Sequence, residues 1–295
     1  MSLYKYVTAK TAAKILNGSI RFTQPGAFND PFELLPQFIT PKTIIEQLQY
    51  SLSVRYVGAR RKGILRNGTK EESRYMGDFQ ARNIVKSLND AIGLLCLSKN
   101  PESLLMWGHY GDEYRGAIIE FDETHPFFEG KISVAYRKNR PVYDLSDFLE
   151  HPFPVADLCI KPNVWSYERE IRIARPLSSC TEVAKDENEN RIMAMDIPIE
   201  CIRGVIMGER MSVVNQRLMW ELVKNTDISL RLAAVANWDY AFRNEIIKYP
   251  GPLTTSPSIS PRTAHIFSED IGQFGDAARW LIKDHPASEF VNLTC

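Results

Sequence analysis

The segment Trp165-Ser166-Tyr167-Glu168-Arg169-Glu170-Ile171-Arg172-Ile173-Ala174 alternates from Glu168 onward. In an extended chain Ile171 and Ile173 fall on one side, and Glu168, Glu170 and Arg172 on the other. That period of two predicts a β-strand over Glu168–Ala174, apolar on one face and charged on the other. Working outward, further strands are expected at Leu3–Val7, Ile20–Thr23, Leu94–Leu97, Gly116–Phe121, Ile132–Tyr136, Ile192–Ile197, Gly204–Met207 and Leu230–Val235.

Helices are interspersed with these strands. Thr8 caps one that carries Ala12, Ile15 and Leu16 on one face and ends at a left-handed Gly18. Thr40 and Pro41 open a second, with Ile44, Ile45, Leu48 and Leu52 inward. A basic stretch at 55–68 leads to a long polar helix that starts at a Thr69/Glu72 capping box and runs to about Ala91. Ser98 and Pro101 start a short helix through Trp107, and Ser212 caps one with Val214, Leu218, Leu222 and Val223 inward. No strict βαβ alternation and no Gly-rich phosphate loop is present, which argues against Rossmann and P-loop folds. The expected class is α+β: mixed, largely antiparallel sheet flanked by helices, with one core. The main domain is expected over 1–249 and a Pro/Ser/Thr linker over 250–267. A C-terminal extension, 268–295, holds an amphipathic helix capped by Ser268. Its stripe of Ile271, Phe274, Ala278, Leu281 and Ile282 needs the main domain or a second copy of the chain as partner, so a homodimer is one expectation.

The composition sets bounds. Hydrophobic residues at 44% and charged residues at 24% suit a chain with an ordinary core. Formal net charge is zero, so nucleic-acid binding is not indicated globally and would need a local patch. No apolar run approaches the roughly 20 residues of a membrane span, and no signal-peptide pattern opens the chain. The five cysteines never form C-x-x-C and the five histidines never form H-x-x-x-H, so neither a metal site nor a disulfide framework is expected. A cytoplasmic protein with reduced thiols fits that usage.

Three segments carry candidate chemistry. In Phe28-Asn29-Asp30-Pro31-Phe32-Glu33, Asn29 and Asp30 either form a structural turn or contact a ligand; Glu33, beside Phe32 and Leu34, is costly to bury unless paired. In Met106-Trp107-Gly108-His109-Tyr110, the rings of Trp107, His109 and Tyr110 either anchor the core or line a pocket that stacks a planar group. In Lys161–Arg172, where Trp165 and Tyr167 precede the charged row, the carboxylates of Glu168 and Glu170 are about 7 Å apart along one strand face. Such a row is usually a solvated face. Buried, the two would raise each other's proton affinity while Arg172 opposed the shift, and the row would suit a sugar whose ring gains positive charge.

Leu3-Tyr4-Lys5-Tyr6, Ile15-Leu16-Asn17-Gly18, Phe22-Thr23, Phe28–Glu33, Met106–Tyr110 and Trp165–Arg172 together resemble the bacterial family called domain of unknown function 2971, over residue 3 to about residue 249. A second resemblance is to ADP-ribosyltransferases. Leu3–Tyr6, Ile15–Gly18 and Glu168-Arg169-Glu170 look like that family's first strand, I-L-x-x-G helix end and late E-x-E block. Lys5 stands where the family has His or Arg, and Trp107–Tyr110 takes the place of its middle block. This resemblance implies NAD as a substrate and a late glutamate, Glu170, as its catalytic group. Joined to the residue reading above, the expected catalytic groups are Glu170, Glu168 and His109; Lys5, Tyr6, Asn29, Asp30 and Glu33 would bind the substrate, with Trp107 or Tyr110 stacking its ring and Lys161, Trp165, Tyr167 and Arg172 completing the cleft. Two other readings stay open: a nucleotide- or peptide-binding module without turnover, and a nuclease holding a divalent ion between Glu33, Glu168 and Glu170.

Overall fold

The computed structural model describes residues 1–39, 70–144, 155–187, 191–251 and 257–293. In chain order its strands are β1 (Ser2–Val7), β2 (Ser19–Phe22), β3 (Gln37–Ile39), β4 (Ile92–Ser98), β5 (Ala117–Asp122), β6 (Lys131–Ser133), β7 (Ala135–Arg137), β8 (Val142–Asp144), β9 (Ile160–Pro162), β10 (Glu170–Pro176), β11 (Thr181–Lys185), β12 (Arg191–Asp196), β13 (Ile202–Met207), β14 (Ser229–Val235) and β15 (Phe242–Lys248). The helices are α1 (Ala9–Leu16), α2 (Lys70–Ala91), α3 (Leu104–Tyr110), α4 (Val155–Leu158), α5 (Val213–Val223), α6 (Gln273–Lys283) and α7 (Ser288–Leu293). Eight strands form one sheet in the order β15-β14-β13-β5-β1-β4-β10-β6. Its pairs are antiparallel except β13 with β14, which α5 connects as a crossover helix. A three-stranded sheet, β11-β12-β2, and two parallel ribbons, β3-β8 and β7-β9, complete a mixed, mostly antiparallel α+β fold. Among the described residues no helix is long and apolar enough to cross a membrane.

Alternation gives the large sheet two unlike faces. On one, Leu3, Leu95, Ile119, Phe121 and Ile173 are fully buried in the main core with α1 and α5. Each such side chain contributes about 1.5–3 kcal/mol by leaving water. Helix α1 begins where Thr8 Oγ1 accepts the Thr11 N–H (3.2 Å) and ends before Gly18, whose φ of +87° suits only glycine comfortably. The opposite face presents Tyr4, Tyr6, Cys96, Ser98, Glu170 and Arg172. The loop through Glu33, helix α3 and the β7-β9 ribbon cover it. The ladder between β1 and β4 is registered only at Tyr4↔Ser98. Through that thin seam Lys5, from the Leu3/Val7 side, donates Nζ to the Cys96 carbonyl at 3.0 Å and reaches the opposite face.

The structure departs from the sequence expectations at identifiable points. Glu168 is not on the strand: it ends a 3-10 turn, Asn163–Glu168, and Arg169 takes a left-handed conformation (φ 44°, ψ 50°) before β10 begins at Glu170. The single strand expected over Ile132–Tyr136 is two. At Val134 the chain leaves the large sheet, its N–H donating to the Glu170 carbonyl (3.0 Å), while Ala135 N–H donates to the Cys159 carbonyl (3.0 Å) to start the ribbon. Ser212 caps α5 and Leu222 and Val223 face the core as expected, but Val214 and Leu218 point outward and Gln216, Met219 and Trp220 inward. The rotation follows from a partner beyond the helix: Phe267 meets Trp220 edge-on, ring centroids 5.0 Å apart. Ser268 does not cap α6, whose N-cap position is Gly272; it accepts from Arg217 at 2.8 Å. Ile271 is fully exposed, whereas Ala278 joins the main core beside Ile266 and Phe267. Strands β3, β8, β9, β11 and β15 have no counterpart among the sequence expectations. The helix expected from Thr40, the basic stretch at 55–68 and the Thr69 cap lie outside the described residues.

Candidate functional site

The charged face of β10 is not solvated. Glu33, Lys161, Glu168, Glu170 and Arg172 are each at most 6% exposed, so the burial cost of five ionisable groups is met by their pairing. Arg172 donates from Nη1 and Nη2 to the two oxygens of Glu33 (2.5 and 3.0 Å) and from Nε to Glu170 (2.9 Å). Lys161 Nζ lies 2.8 Å from Glu168, 2.8 Å from Glu170 and 3.8 Å from Glu33. Tyr110 donates its hydroxyl to Glu168 (2.7 Å), and Asn29 donates to Tyr110 (3.4 Å). Tyr136, opposite Lys161 in the ribbon, accepts the Glu170 backbone N–H at 2.8 Å. Phe28 lays its ring against the Arg172 guanidinium, 5.6 Å away.

Both carboxylates of the E-x-E block reach this cluster although only one is on the strand. The left-handed Arg169 turns the chain so that Glu168 and Glu170 converge on one ammonium. Leu34, next to Glu33, is also left-handed (φ 50°). Non-glycine residues pay roughly 1–2 kcal/mol for that conformation, so the ion pairs on either side hold the backbone there.

Charge counting assigns the protons. Three carboxylates share two cations, Lys161 and Arg172, and Glu168 has no bond to Arg172. Glu170 is desolvated, but Arg172 and Lys161 outweigh that and draw it down to about 2, helped by the Cys96 thiol. Burial holds that thiol well above its usual range. For Glu168 desolvation prevails over Lys161 and Tyr110, and its proton affinity rises. Burial works against the charge on Lys161, but Glu170 and Glu33 more than compensate, so it stays a cation. Burial lowers the proton affinity of Lys5. Two adjacent carboxyl groups whose affinities are driven apart is the arrangement that lets one act as proton carrier and the other as fixed charge.

Glu168, Glu170 and Lys161 line a cleft with about 510 Å³ of empty space, open solvent at its mouth included, whose other walls include Lys5, Tyr6, Asn29 and Tyr110. Tyr4, Phe28, Cys96, Ser98 and Met106 also line it and are not among the residues expected from sequence. Tyr4 was findable, since it shares a strand face with Tyr6; Tyr136 and Cys96 come from strands with no marker of their own. Glu33 and Arg172 sit in the charge network behind the wall. The remaining candidates lie elsewhere. Trp107 is buried beneath the cleft, edge-on to Tyr6 at 5.4 Å. Asp30 closes its own turn, accepting the Phe32 N–H at 2.9 Å. His109 is exposed and outside the cleft lining; its Nδ1 lies 2.9 Å from the Tyr167 hydroxyl, and Trp165 packs beside both, over Lys161.

The space between Glu33, Glu168 and Glu170 is taken by Lys161 and Arg172, and among the described residues no group of three His, Cys, Asp or Glu side chains is placed to hold a metal ion. No protein-family model, curated protein or solved structure matches this chain.

Proposed function

We propose that the cleft binds a nucleotide such as NAD and acts on its glycosidic bond at Glu168 and Glu170. The observation that carries this reading is the pair itself: one carboxylate held ionised and one with raised proton affinity, bridged by Lys161 in the wall of a tyrosine-lined cleft. As the bond between the ribose C1′ and the nicotinamide nitrogen breaks, its electron pair leaves with neutral nicotinamide, and the sugar becomes oxocarbenium-like. The fixed negative charge of Glu170 stabilises that cation. A hydroxyl of water or of a macromolecular acceptor then bonds to C1′, and its proton passes to Glu168, a stronger base for its desolvation. Tyr110 and Lys161 hold the Glu168 carboxylate in place, and the rings of Tyr4, Tyr6 and Phe28 supply flat apolar walls for the bases. Lys5 offers a donor at the seam. The resemblance to ADP-ribosyltransferases implies the same substrate; the domain of unknown function 2971 family carries no activity with it.

The test is release of nicotinamide from NAD. Glu170→Gln is expected to lower the rate by about 10²-fold or more while the melting curve remains cooperative. Release at an unchanged rate in that variant removes the reading.

A second reading has its own observation. Every carboxylate oxygen of Glu33, Glu168 and Glu170 already has a donor within the protein. A network so complete also suits a cleft that recognises a nucleotide or peptide without turnover, in which case NAD binds and nicotinamide is not released.

A further inference from the structure

A second cavity, with about 630 Å³ of empty space including the open solvent at its mouth, lies on the other side of the β7-β9 ribbon from the carboxylates. Tyr136↔Lys161 and Arg137↔Pro162 are register partners there, so successive residues face opposite ways: Tyr136 toward Glu170, Arg137 toward the second cavity. Its floor is apolar, including Phe32, Leu158 and Ile160, and its rim carries Arg137, Lys138 and Arg140. Among the described residues no Asp or Glu lines it. In a chain whose 36 basic and 36 acidic residues cancel, this is a local excess of one sign. Arg140 is anchored, donating to the Leu35 carbonyl at 2.6 Å with its guanidinium 5.7 Å from the Phe32 ring. Arg137 and Lys138 are exposed and have no ion-pair partner among the described residues. Lys161 forms the shared wall, its own charge committed to the carboxylates behind it.

We infer that this cavity binds a small phosphorylated compound with a flat apolar body, of which a nucleoside monophosphate is the simplest form. The cations are the part that selects phosphate. Guanidinium groups match its oxygens in pairs, and a concave surface of one sign with low-dielectric walls concentrates the opposite charge. The apolar floor provides the area that a bare inorganic anion cannot use. This binding is independent of the glycosidic chemistry of the first cleft, because none of the rim cations touches Glu168 or Glu170.

The experiment is calorimetric titration at low salt of the full chain with AMP, adenosine and inorganic phosphate. AMP is expected to bind, and adenosine and phosphate each about tenfold or more weaker. Arg137→Gln with Lys138→Gln is expected to weaken AMP by about tenfold or more, with an unchanged melting temperature because both side chains are exposed. Glu170→Gln is expected to retain AMP binding whatever it does to nicotinamide release. The inference is overturned if wild-type protein does not bind AMP, if adenosine binds as well as AMP, or if the double variant binds like wild type. Loss of AMP binding in Glu170→Gln also overturns it, since that places AMP in the first cleft. The comparison of AMP with adenosine needs no variant and so does not depend on one folding.

Discussion

Arg172 grips Glu33 with two hydrogen bonds across 139 positions of sequence, and both side chains are almost wholly excluded from water. The pair fixes the loop of Glu33 onto β10 and so fixes one wall of the cleft. Breaking a buried pair from one side costs about 3–5 kcal/mol when it strands the other charge, and Arg172 keeps Glu170 as a second partner, so the lower end applies here. Glu33→Gln is therefore expected to lower the unfolding free energy by roughly that amount in urea titration. Arg172→Met combined with Glu33→Gln is expected to cost much less than the sum of the two single changes. Simple additivity in that cycle would show that the two groups do not act as a pair.

Acid titration should separate the two glutamates of the E-x-E block. Glu170 is depressed from 4.5 to about 2, so its stabilisation is present above pH 4.5 and is lost as pH falls toward 2. The loss is on the order of 3 kcal/mol. Glu168 moves the other way. With its proton affinity raised, the folded protein gives up this proton at higher pH than the unfolded chain does, so its contribution declines as pH rises above 4.5. Glu168→Gln, which mimics the protonated form, is expected to gain stability relative to wild type as pH increases from 4.5 upward. Denaturant midpoints measured from there to neutrality check it; a constant difference would contradict the assignment of the proton to Glu168.

Tyr110 donates to Glu168, which opposes the rise in that group's proton affinity. Tyr110→Phe removes the donor and is expected to cost about 1–2 kcal/mol of stability. On the proposed reading Glu168 is unprotonated when it accepts the proton of the acceptor hydroxyl, so the loss of the donor is also expected to move the acidic limb of the pH–rate profile for nicotinamide release to higher pH. A rate that falls with an unmoved profile would mean that Tyr110 only supports the fold.

Arg169 is exposed and left-handed. Glycine adopts that conformation without the steric cost, against a loss of about 0.5–1 kcal/mol for the freer unfolded chain. Arg169→Gly is expected to be neutral or stabilising by up to about 1 kcal/mol, whereas Arg169→Val, branched at Cβ, is expected to destabilise by about 1–2 kcal/mol. Thermal unfolding of the two variants is the check, and equal behaviour would argue against strain at the turn.

Much of the sheet was legible in the sequence because β10 alternates and strands such as β4 and β5 are short apolar runs or runs rich in β-branched and aromatic residues. The charged row at Glu168–Arg172 was legible as a candidate cluster from its alternation, but its geometry was not. Alternation places Glu168 and Glu170 on one strand face; the structure bends the chain between them at Arg169, a residue type that gives no turn signal. The buried stripe of α5 was legible only at Leu222 and Val223, because helix periodicity alone allows either Leu218 or Trp220 to face inward. The choice is made by Phe267, which packs on Trp220 from well beyond the helix, outside any local pattern. The rim of the second cavity was hidden for a different reason. Arg137, Lys138 and Arg140 read as ordinary surface charges, and only the ribbon pairing of β7 with β9 gathers them around an apolar floor.

Val134 ties the two walls of the first cleft together. On one side of it the chain is an edge strand of the large sheet, and on the other it is half of the ribbon that carries Tyr136. No flexible connector separates them, and the Val134 N–H is itself held by the Glu170 carbonyl. The aperture is therefore set by covalent continuity: its width is already built, and the backbone fixes in advance the spacing of the two carboxylates in its wall.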